Sequence, residues 1–453
     1  MSLSVIILAA GQGTRMRSGK PKVLHEVGGK PMLQRVLDNA HSLQAREIHV
    51  VFGHGGEQVQ ETICDESVQW VLQAEQLGTG HAVDQAMPGI ADEDTVLILY
   101  GDVPLTTTRT LQPLIDAASD GVALLTVELE DPMGYGRIIR NDDGQVMAIV
   151  EEKDASEEQC QIREGNTGMM ALNGGQLRSW LSRLDNSNAQ GEYYLTDVIA
   201  MAVSDGVAVN AVEADSIIEV SGVNNRIQLA EMERAWQWRQ AEAAMIAGAT
   251  LADPARFDVR GELRVGEDVS IDVNVVFEGT VSLGKGVSIG PNCVLKNVHV
   301  GDGVQILANT VIEDAMIGAG SRVGPFARIR PGSELKGHNH IGNFVEIKKS
   351  IIGEGSKVNH LTYIGDTIMG SGVNIGAGTI TANYDGANKH QTIIEDNAST
   401  GSNSVLIAPV KVGKGATLGA ATVLRKEAPE GQLTMSLIKQ KTLDGWKRPI
   451  KKK

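Results

Sequence analysis

From Val265 to Leu424 a core-type residue returns every six positions: Val265, Ile271, Phe277, Leu283 and Ile289, then Val300, Ile306 and Ile312, and later Ile394, Thr400, Leu406, Val412 and Leu418. Companions four places on, Val269, Val275, Val281, Val287, Cys293, Val304 and Thr310, keep the same rhythm. Neither the helical period of about 3.6 nor the strand alternation of about 2 produces this pattern. A repeat of six predicts a solenoid of short parallel strands joined by tight corners, three faces to a coil. Five-residue steps from Leu295 to Val300, Ile312 to Ile317, Ile347 to Ile352 and Ile364 to Met369 keep the phase rather than breaking it.

Aromatic residues make up only 4% of the 453-residue chain, so Val, Ile, Leu and Ala must fill the core, as suits many thin stacked layers. The net charge of −15 argues against nucleic-acid binding and against a broad anionic-membrane surface. Small anions remain possible ligands, held by local cations and backbone N–H groups. Cys64, Cys160 and Cys293 are far apart and outside metal-ligand spacing, so no disulfide framework is expected and a reducing cytoplasm fits best. The apolar run Val5 to Ala10 is too short to span a bilayer, and no basic segment precedes it. A soluble cytoplasmic protein without membrane insertion is the expectation.

Residues 1–225 alternate strand-like runs (SVIILAAG, EIHVVFG, VLILYGD, ALLTVEL) with helix-like stretches, which predicts a mostly parallel sheet with both faces covered. Ligands of such α/β sheets bind at the carboxyl ends of strands, where Gly11, Gly13, Gly53 and Asp102 fall. Residues 226–247, rich in helix formers and free of Pro, read as a linking helix that LADPAR stops. Residues 248–453 hold the solenoid, one loop at Asn383 to Gln391 and a basic tail, KRPIKKK, that is either solvated or within reach of a phosphate.

The segment LAAGQGTRM follows the first strand directly. Its Gly11 and Gly13 suit a close backbone approach and Arg15 can pair with phosphate, yet a lone Gly-rich turn is equally a structural one. Lys22 is either an exposed lysine or a phosphate ligand. Asp102, ending the strand in LYGDVPL, is either a turn residue or a metal-binding carboxylate.

On the solenoid, Arg330 follows the inward Ile329 and Lys348 the inward Ile347, so both point outward. Being eighteen residues apart, they should stack at the inter-strand spacing of about 4.8 Å. Stacked like charges repel, so an anionic ligand, or the acids Glu334 and Glu346, must relieve them. His360 occupies a corner position nearby and Tyr363 an outward one, with Asn374 and the NYDG loop following.

The opening LAAGQGTRM and PK, with QAEQLGTGHA and LYGDVPL, resemble the sugar-nucleotide pyrophosphorylases. In that family a sugar-1-phosphate oxygen attacks the α-phosphate of a nucleoside triphosphate and pyrophosphate leaves, a reaction that needs alignment and charge neutralisation. The resemblance implies that Asp102 and Asn224 hold Mg²⁺ and that Arg15 and Lys22 neutralise the triphosphate. It implies that Leu8, Gly11, Gly13 and Tyr100 line the nucleotide site, and that Gln73, Gly78 and Thr79 read uracil. Gly136, Glu151, Asn166 and Asn224 would hold the sugar.

With NAQGEYYLTD, GPFARIRPG, GNFVEIKK, HLTYIGD, NIGAGTITANYDG and VGKGATLGA added, nearly the whole chain resembles the family of bifunctional N-acetylglucosamine-1-phosphate uridyltransferase/glucosamine-1-phosphate acetyltransferases. This implies an α/β Rossmann-like nucleotidyltransferase domain followed by a left-handed parallel β-helix, an exception to right-handed crossover. It also implies a homotrimer with acetyl-transfer sites between solenoids. The implied substrates are glucosamine-1-phosphate, acetyl-CoA, N-acetylglucosamine-1-phosphate and UTP, and the product, UDP-N-acetylglucosamine, is a precursor of peptidoglycan and lipopolysaccharide. Arg330, Lys348, Tyr363, Asn374 and Lys389 would hold glucosamine-1-phosphate, and His360 would be the general base. An imidazole of ordinary pKa, about 6.5, suits that task. Ala377, Asn383, Tyr384, Ser402 and Ala420 would lie along acetyl-CoA. Two positions depart from the family: Leu437 stands where an Arg often approaches CoA phosphate, with Lys439 a possible substitute, and Gln12 stands where many members have Lys. The alternative is a single-activity nucleotidyltransferase whose solenoid serves only assembly or regulation.

Overall fold

The computed structural model describes every residue except Met1, Gln12, His54, Gly55, Ile438, Lys439, Lys452 and Lys453. Gln12 and Lys439, both singled out in the sequence, therefore lie outside the described residues. The chain forms two compact units, Met1–Trp236 and Gln237–Lys453. The division falls inside one helix, Arg226–Ile246, rather than to either side of it.

In the first unit the strands run in the order Val209–Glu213, Val122–Glu128, Glu164–Asn173, Thr95–Tyr100, Leu3–Ala9, Glu47–Phe52 and Val68–Leu72. All of these pairings are parallel except those of Glu164–Asn173, which runs antiparallel to both neighbours. That strand also carries a hairpin, Gly136–Arg140 with Val146–Val150. The central strand reads as one apolar run because both of its faces are covered. Val5 and Ile7 join one core cluster and Ile6 and Leu8 another, on opposite sides of the sheet.

In the second unit one ladder of short parallel strands runs from Thr250–Leu251 through Lys357–His360 to Leu433–Thr434. The other faces of the coils form a second, continuous sheet. The solenoid thus begins before Val265 and ends after Leu424, because the terminal coils depart from the strict six-residue pattern. The expected inward positions are buried from Ile271 to Leu418, and only Val265 is half-buried. Thr400 fills a core position without an orphaned hydroxyl: its Oγ1 accepts from the Gly376 N–H at 2.9 Å and lies 3.0 Å from Thr379 Oγ1.

The five-residue steps have a local cause. In each, the second residue past the inward one turns the corner in the left-handed region: Asn297 (φ 50°), Asp314 (φ 42°), Lys349 (φ 45°) and Asp366 (φ 48°). Asn and Asp accept this conformation more readily than other side chains. Adjacent coils stay in phase, with Ile312 opposite Ile329, Ile329 opposite Ile347 and Ile347 opposite Ile364.

Candidate active sites

At the carboxyl ends of the first unit's parallel strands lies a cleft of about 260 Å³, lined among others by Leu8, Gly11, Lys22, Gln73, Gly78, Thr79, Tyr100 and Asp102. Two glycines are obligatory here. Gly13 sits at φ 61°, where an added Cβ would come within 2.8 Å of Lys22 Cβ. Gly78, at φ 117°, would bring a Cβ to 2.6 Å from the Tyr193 carbonyl oxygen. The first lets the loop pass over Lys22, and the second lets the chain enter the helix Thr79–Ala86 against the Glu192–Tyr193 segment.

Lys22 Nζ donates to Asp102 Oδ2 at 2.5 Å and to Asn224 Oδ1 at 3.2 Å. Arg15 donates to the same Asn224 oxygen at 2.9 Å. Residues from three separated stretches of sequence thus meet, and two acceptor oxygens converge on one cationic centre. Gln73 is buried, and its amide nitrogen lies 3.1 Å from both the Gly78 carbonyl oxygen and His81 Nδ1. With both N–H donors engaged, its carbonyl oxygen is the group left for a ligand.

Beside the cleft, Gly136 pairs with Asn166 across the sheet. A Cβ on Gly136 would lie 3.6 Å from both Asn166 Cβ and the Glu151 carboxyl carbon, so these three residues stand together. Asn166 Oδ1 accepts from the Gly168 N–H at 3.0 Å, and Glu151 accepts from Thr196 Oγ1 at 3.1 Å. Burial pushes the Glu151 pKa up, with Asp197, Asp154 and Glu192 adding to the shift against the Thr196 bond. Burial likewise raises the Tyr100 phenol, which therefore stays protonated near neutrality.

On the solenoid the register sets Arg330 beside Lys348, because Ile329 and Ile347 are paired and the Arg330 N–H bonds to the Ile347 carbonyl at 2.8 Å. Their expected repulsion is partly relieved from within: Arg330 holds Glu346 at 2.7 Å, while Glu334 pairs with Lys336 at 2.6 Å instead. Lys348 faces further cations. The Lys389 ammonium above all, with burial and Arg330 adding and Asp366 opposing, holds the Lys348 pKa below the usual lysine range. Tyr363 lies next along this face, its phenol over Gly365, which is the register partner of Lys348. Asn374 belongs to the other ladder, across the corner from these residues.

His360 ends the strand Lys357–His360 and is exposed, with Leu361 turning the corner at φ 49°. Its Nδ1 lies 3.3 Å from Asn343 Oδ1 on the preceding coil. Backbone bonds from the next coil's corner repeat up the edge, Gly378 to His360, Asn403 to Ala377 and Ala421 to Ser402. Asn343, His360, Ala377, Ser402 and Ala420 are therefore successive rungs of one corner column. Asn383 is buried and donates to Asp366, rooting its loop, while the exposed Tyr384 bridges back to Lys389. Leu437 is 88% exposed.

A bifunctional protein GlmU of Marinobacter nauticus is 57% identical over 450 residues, covering 99% of this chain and 99% of the relative. One of Chromobacterium violaceum is 57% identical over 451 residues, covering 100% of this chain and 99% of the relative. The chain belongs to the bifunctional GlmU family. Narrower families match its parts: a MobA-like NTP transferase domain over residues 5–164, the GMPPB C-terminal domain over 259–339 and the hexapeptide repeat of succinyl-transferase over 391–426. The fold is accordingly a nucleotidyltransferase domain followed by a left-handed parallel β-helix.

Sequence reasoning within the GlmU family missed Gln76 and Glu192, which also line the cleft, and Asn343, which meets His360. Gln76 and Glu192 lie inside quoted motifs, so motif membership was a usable signal. Asn343 also lies inside a quoted motif, GNFVEIKK, and the coil register adds the sharper signal by placing it seventeen residues before His360.

Proposed function

We propose that the chain makes UDP-N-acetylglucosamine in two steps, acetylating glucosamine-1-phosphate on the solenoid and transferring uridylyl from UTP to the resulting N-acetylglucosamine-1-phosphate in the first unit. The observation that carries the bifunctional reading is the corner column of His360, Ala377, Ser402 and Ala420 beside the cationic face of Arg330, Lys348 and Lys389. A solenoid that served only assembly would need no such gathering.

For acetyl transfer, the cationic face takes the sugar phosphate and Tyr363 bounds it. Acetyl-CoA lies along the column, where the three steps from Ala420 to His360 span about 14 Å. The Asn343 oxygen keeps the proton on His360 Nδ1 and leaves Nε2 as the base. The amine nitrogen attacks the thioester carbonyl, the C–S bond breaks, CoA leaves as thiolate, and Nε2 takes the proton the nitrogen loses.

For uridylyl transfer, the Gln73 carbonyl oxygen accepts the N3–H of uracil, a donor that cytosine lacks. Arg15 and Lys22 hold the triphosphate. Glu151, Asn166 and Gly136 hold the sugar while its phosphate oxygen attacks the α-phosphorus and the bond to the leaving pyrophosphate breaks. Asp102 and Asn224 suit a cation, because their oxygens already converge on the Lys22 ammonium. Mg²⁺ is commonly held by one or two protein oxygens together with substrate phosphates and water, so the nucleotide and water would complete the coordination here. Mg²⁺ bound there would neutralise charge on the transferring and leaving groups.

We place this enzyme in the cytoplasm as a homotrimer. No helix among the described residues is long and apolar enough to cross a membrane. An outward column of Met316, Ile351, Ile368 and Ile393, interrupted by Glu334, follows the register of one solenoid face, and its apolar members are 37–53% exposed. Such a stripe suits burial against another chain.

Separate assays of two variants test the proposal. His360→Ala should lose acetyl transfer by roughly 10²–10⁴-fold and keep uridylyl transfer, while Asp102→Ala should do the reverse. An unaltered acetylation rate in His360→Ala would remove the base assigned here.

A further inference from the structure

The helix that follows Asn224 fixes that residue in place. Asn225 caps Arg226–Ile246, its Oδ1 accepting from the N–H groups of Ile227 at 2.9 Å and Gln228 at 3.0 Å. Gln228, three residues into the helix, reaches back in return. In the usual reciprocal cap the third helical residue returns to the capping residue itself. Here Gln228 Oε1 passes over Asn225 and accepts from the Asn224 N–H at 2.8 Å.

The preceding residue is anchored as firmly. The Val223 N–H bonds to the Asp102 carbonyl at 2.9 Å, and the Val223 side chain is buried in a small core with Met16, Leu105 and Met232. Asn224 is therefore tied to the Asp102 turn through its neighbour and to the helix through Gln228. Its side-chain oxygen is left to meet Lys22 and Arg15.

We propose that Gln228 is a positioning residue for uridylyl transfer, holding the Asn224 main chain so that the Asn224 amide oxygen stays at the cation point it shares with Asp102. This rests on the uridylyl site described above. Among the described residues, no hydrogen bond joins Gln228 to the residues assigned to phosphates, base or sugar apart from Asn224. Without the acceptor the Asn224 N–H loses its partner, and the turn into the helix is free to rotate the amide oxygen away from Asp102. Partners of this kind, one step removed from a metal, typically change affinity by about 10–100-fold.

The experiment compares Gln228→Met, which keeps length and removes the acceptor, with Gln228→Glu, which keeps the acceptor and is favourable in a first helical turn. Gln228→Ala serves in place of the methionine variant should that fold poorly. Binding of Mn²⁺ in the presence of UTP is read by electron paramagnetic resonance, together with KM and kcat for uridylyl transfer. Acetyl transfer by the same sample reports the folded chain. The expected result is Mn²⁺ binding weakened, and the KM for UTP raised, by about tenfold in Gln228→Met. Acetyl transfer should be unchanged, and Gln228→Glu should recover close to the wild type. Wild-type Mn²⁺ binding in Gln228→Met would overturn the proposal, and so would equal impairment of both variants, which would make the loss one of packing. Asn224→Ala separates the layers: if it leaves Mn²⁺ binding intact, the cation site itself is misassigned, whereas impairment there without impairment in Gln228→Met rejects only the role of Gln228.

Discussion

His360 and Asn343 stand at the same corner of successive coils, with the imidazole Nδ1 3.3 Å from the amide oxygen. In the proposed acetyl transfer this contact favours the tautomer whose Nε2 is free to act as the base. Asn343→Ala should therefore lower the kcat of acetyl transfer by about tenfold with little change in KM, because it disturbs proton transfer and not substrate contact. Steady-state kinetics with both substrates varied check this, and a change confined to KM would refute it.

Glu151 predicts a pH effect of definite sign. Its pKa is raised in the folded chain, first by burial, so its ionised form accumulates only above the usual carboxylate range. The kcat/KM for the sugar phosphate in uridylyl transfer should rise with pH through that raised value, and Glu151→Gln should flatten the limb. In stability the sign is opposite. Proton binding favours the folded state, so this contribution is present below the unfolded pKa and is lost as pH rises through the folded one. Glu151→Gln should accordingly raise Tm at neutral pH, which thermal melts of the two proteins compare directly.

Lys348 loses its proton earlier than an ordinary lysine because Lys389 stands beside it. Binding of glucosamine-1-phosphate should weaken on the alkaline side sooner than for an isolated lysine. Lys389→Met should move that limb to higher pH while weakening binding near neutrality by about tenfold, the cost of one charge-assisted bond. Calorimetric titrations across the alkaline range distinguish the two effects, and an unmoved limb would separate Lys389 from the site.

The outward stripe bears on assembly. Ile368 lies between Ile351 and Ile393 in register, so Ile368→Glu places a charge in the middle of an apolar column. Light scattering should show the proposed trimer dissociating, with acetyl transfer lost and uridylyl transfer retained. An intact trimer would locate the interface on another face.

Much of this architecture is legible in the residues alone, for unequal reasons. The hexad positions announce themselves because each inward side chain must fill one thin layer, and Ile271 through Leu418 are buried as the repeat requires. Asp102 and Asn224 carry no comparable signal. They are 122 positions apart, and the Val223–Asp102 backbone bond and the shared Lys22 ammonium bring them side by side. The antiparallel strand Glu164–Asn173 was equally hidden, since an apolar run does not declare its direction. Arg330 and Lys348 fall between these cases. Their stacking follows from counting, but the choice of Glu346 over Glu334 as partner depends on reach across the coil.

The left-handed corners at Asn297, Asp314, Lys349 and Asp366 make the number of residues in a coil negotiable. What the solenoid conserves is the inward or outward sense of each strand, and a corner residue can be lost without reversing it. The same deletion inside a strand would invert every side chain up to the next corner. The scaffold can thus take longer or shorter segments at its edges, and the Asn383 to Gln391 loop stands at one such edge and brings Lys389 to the side of Lys348.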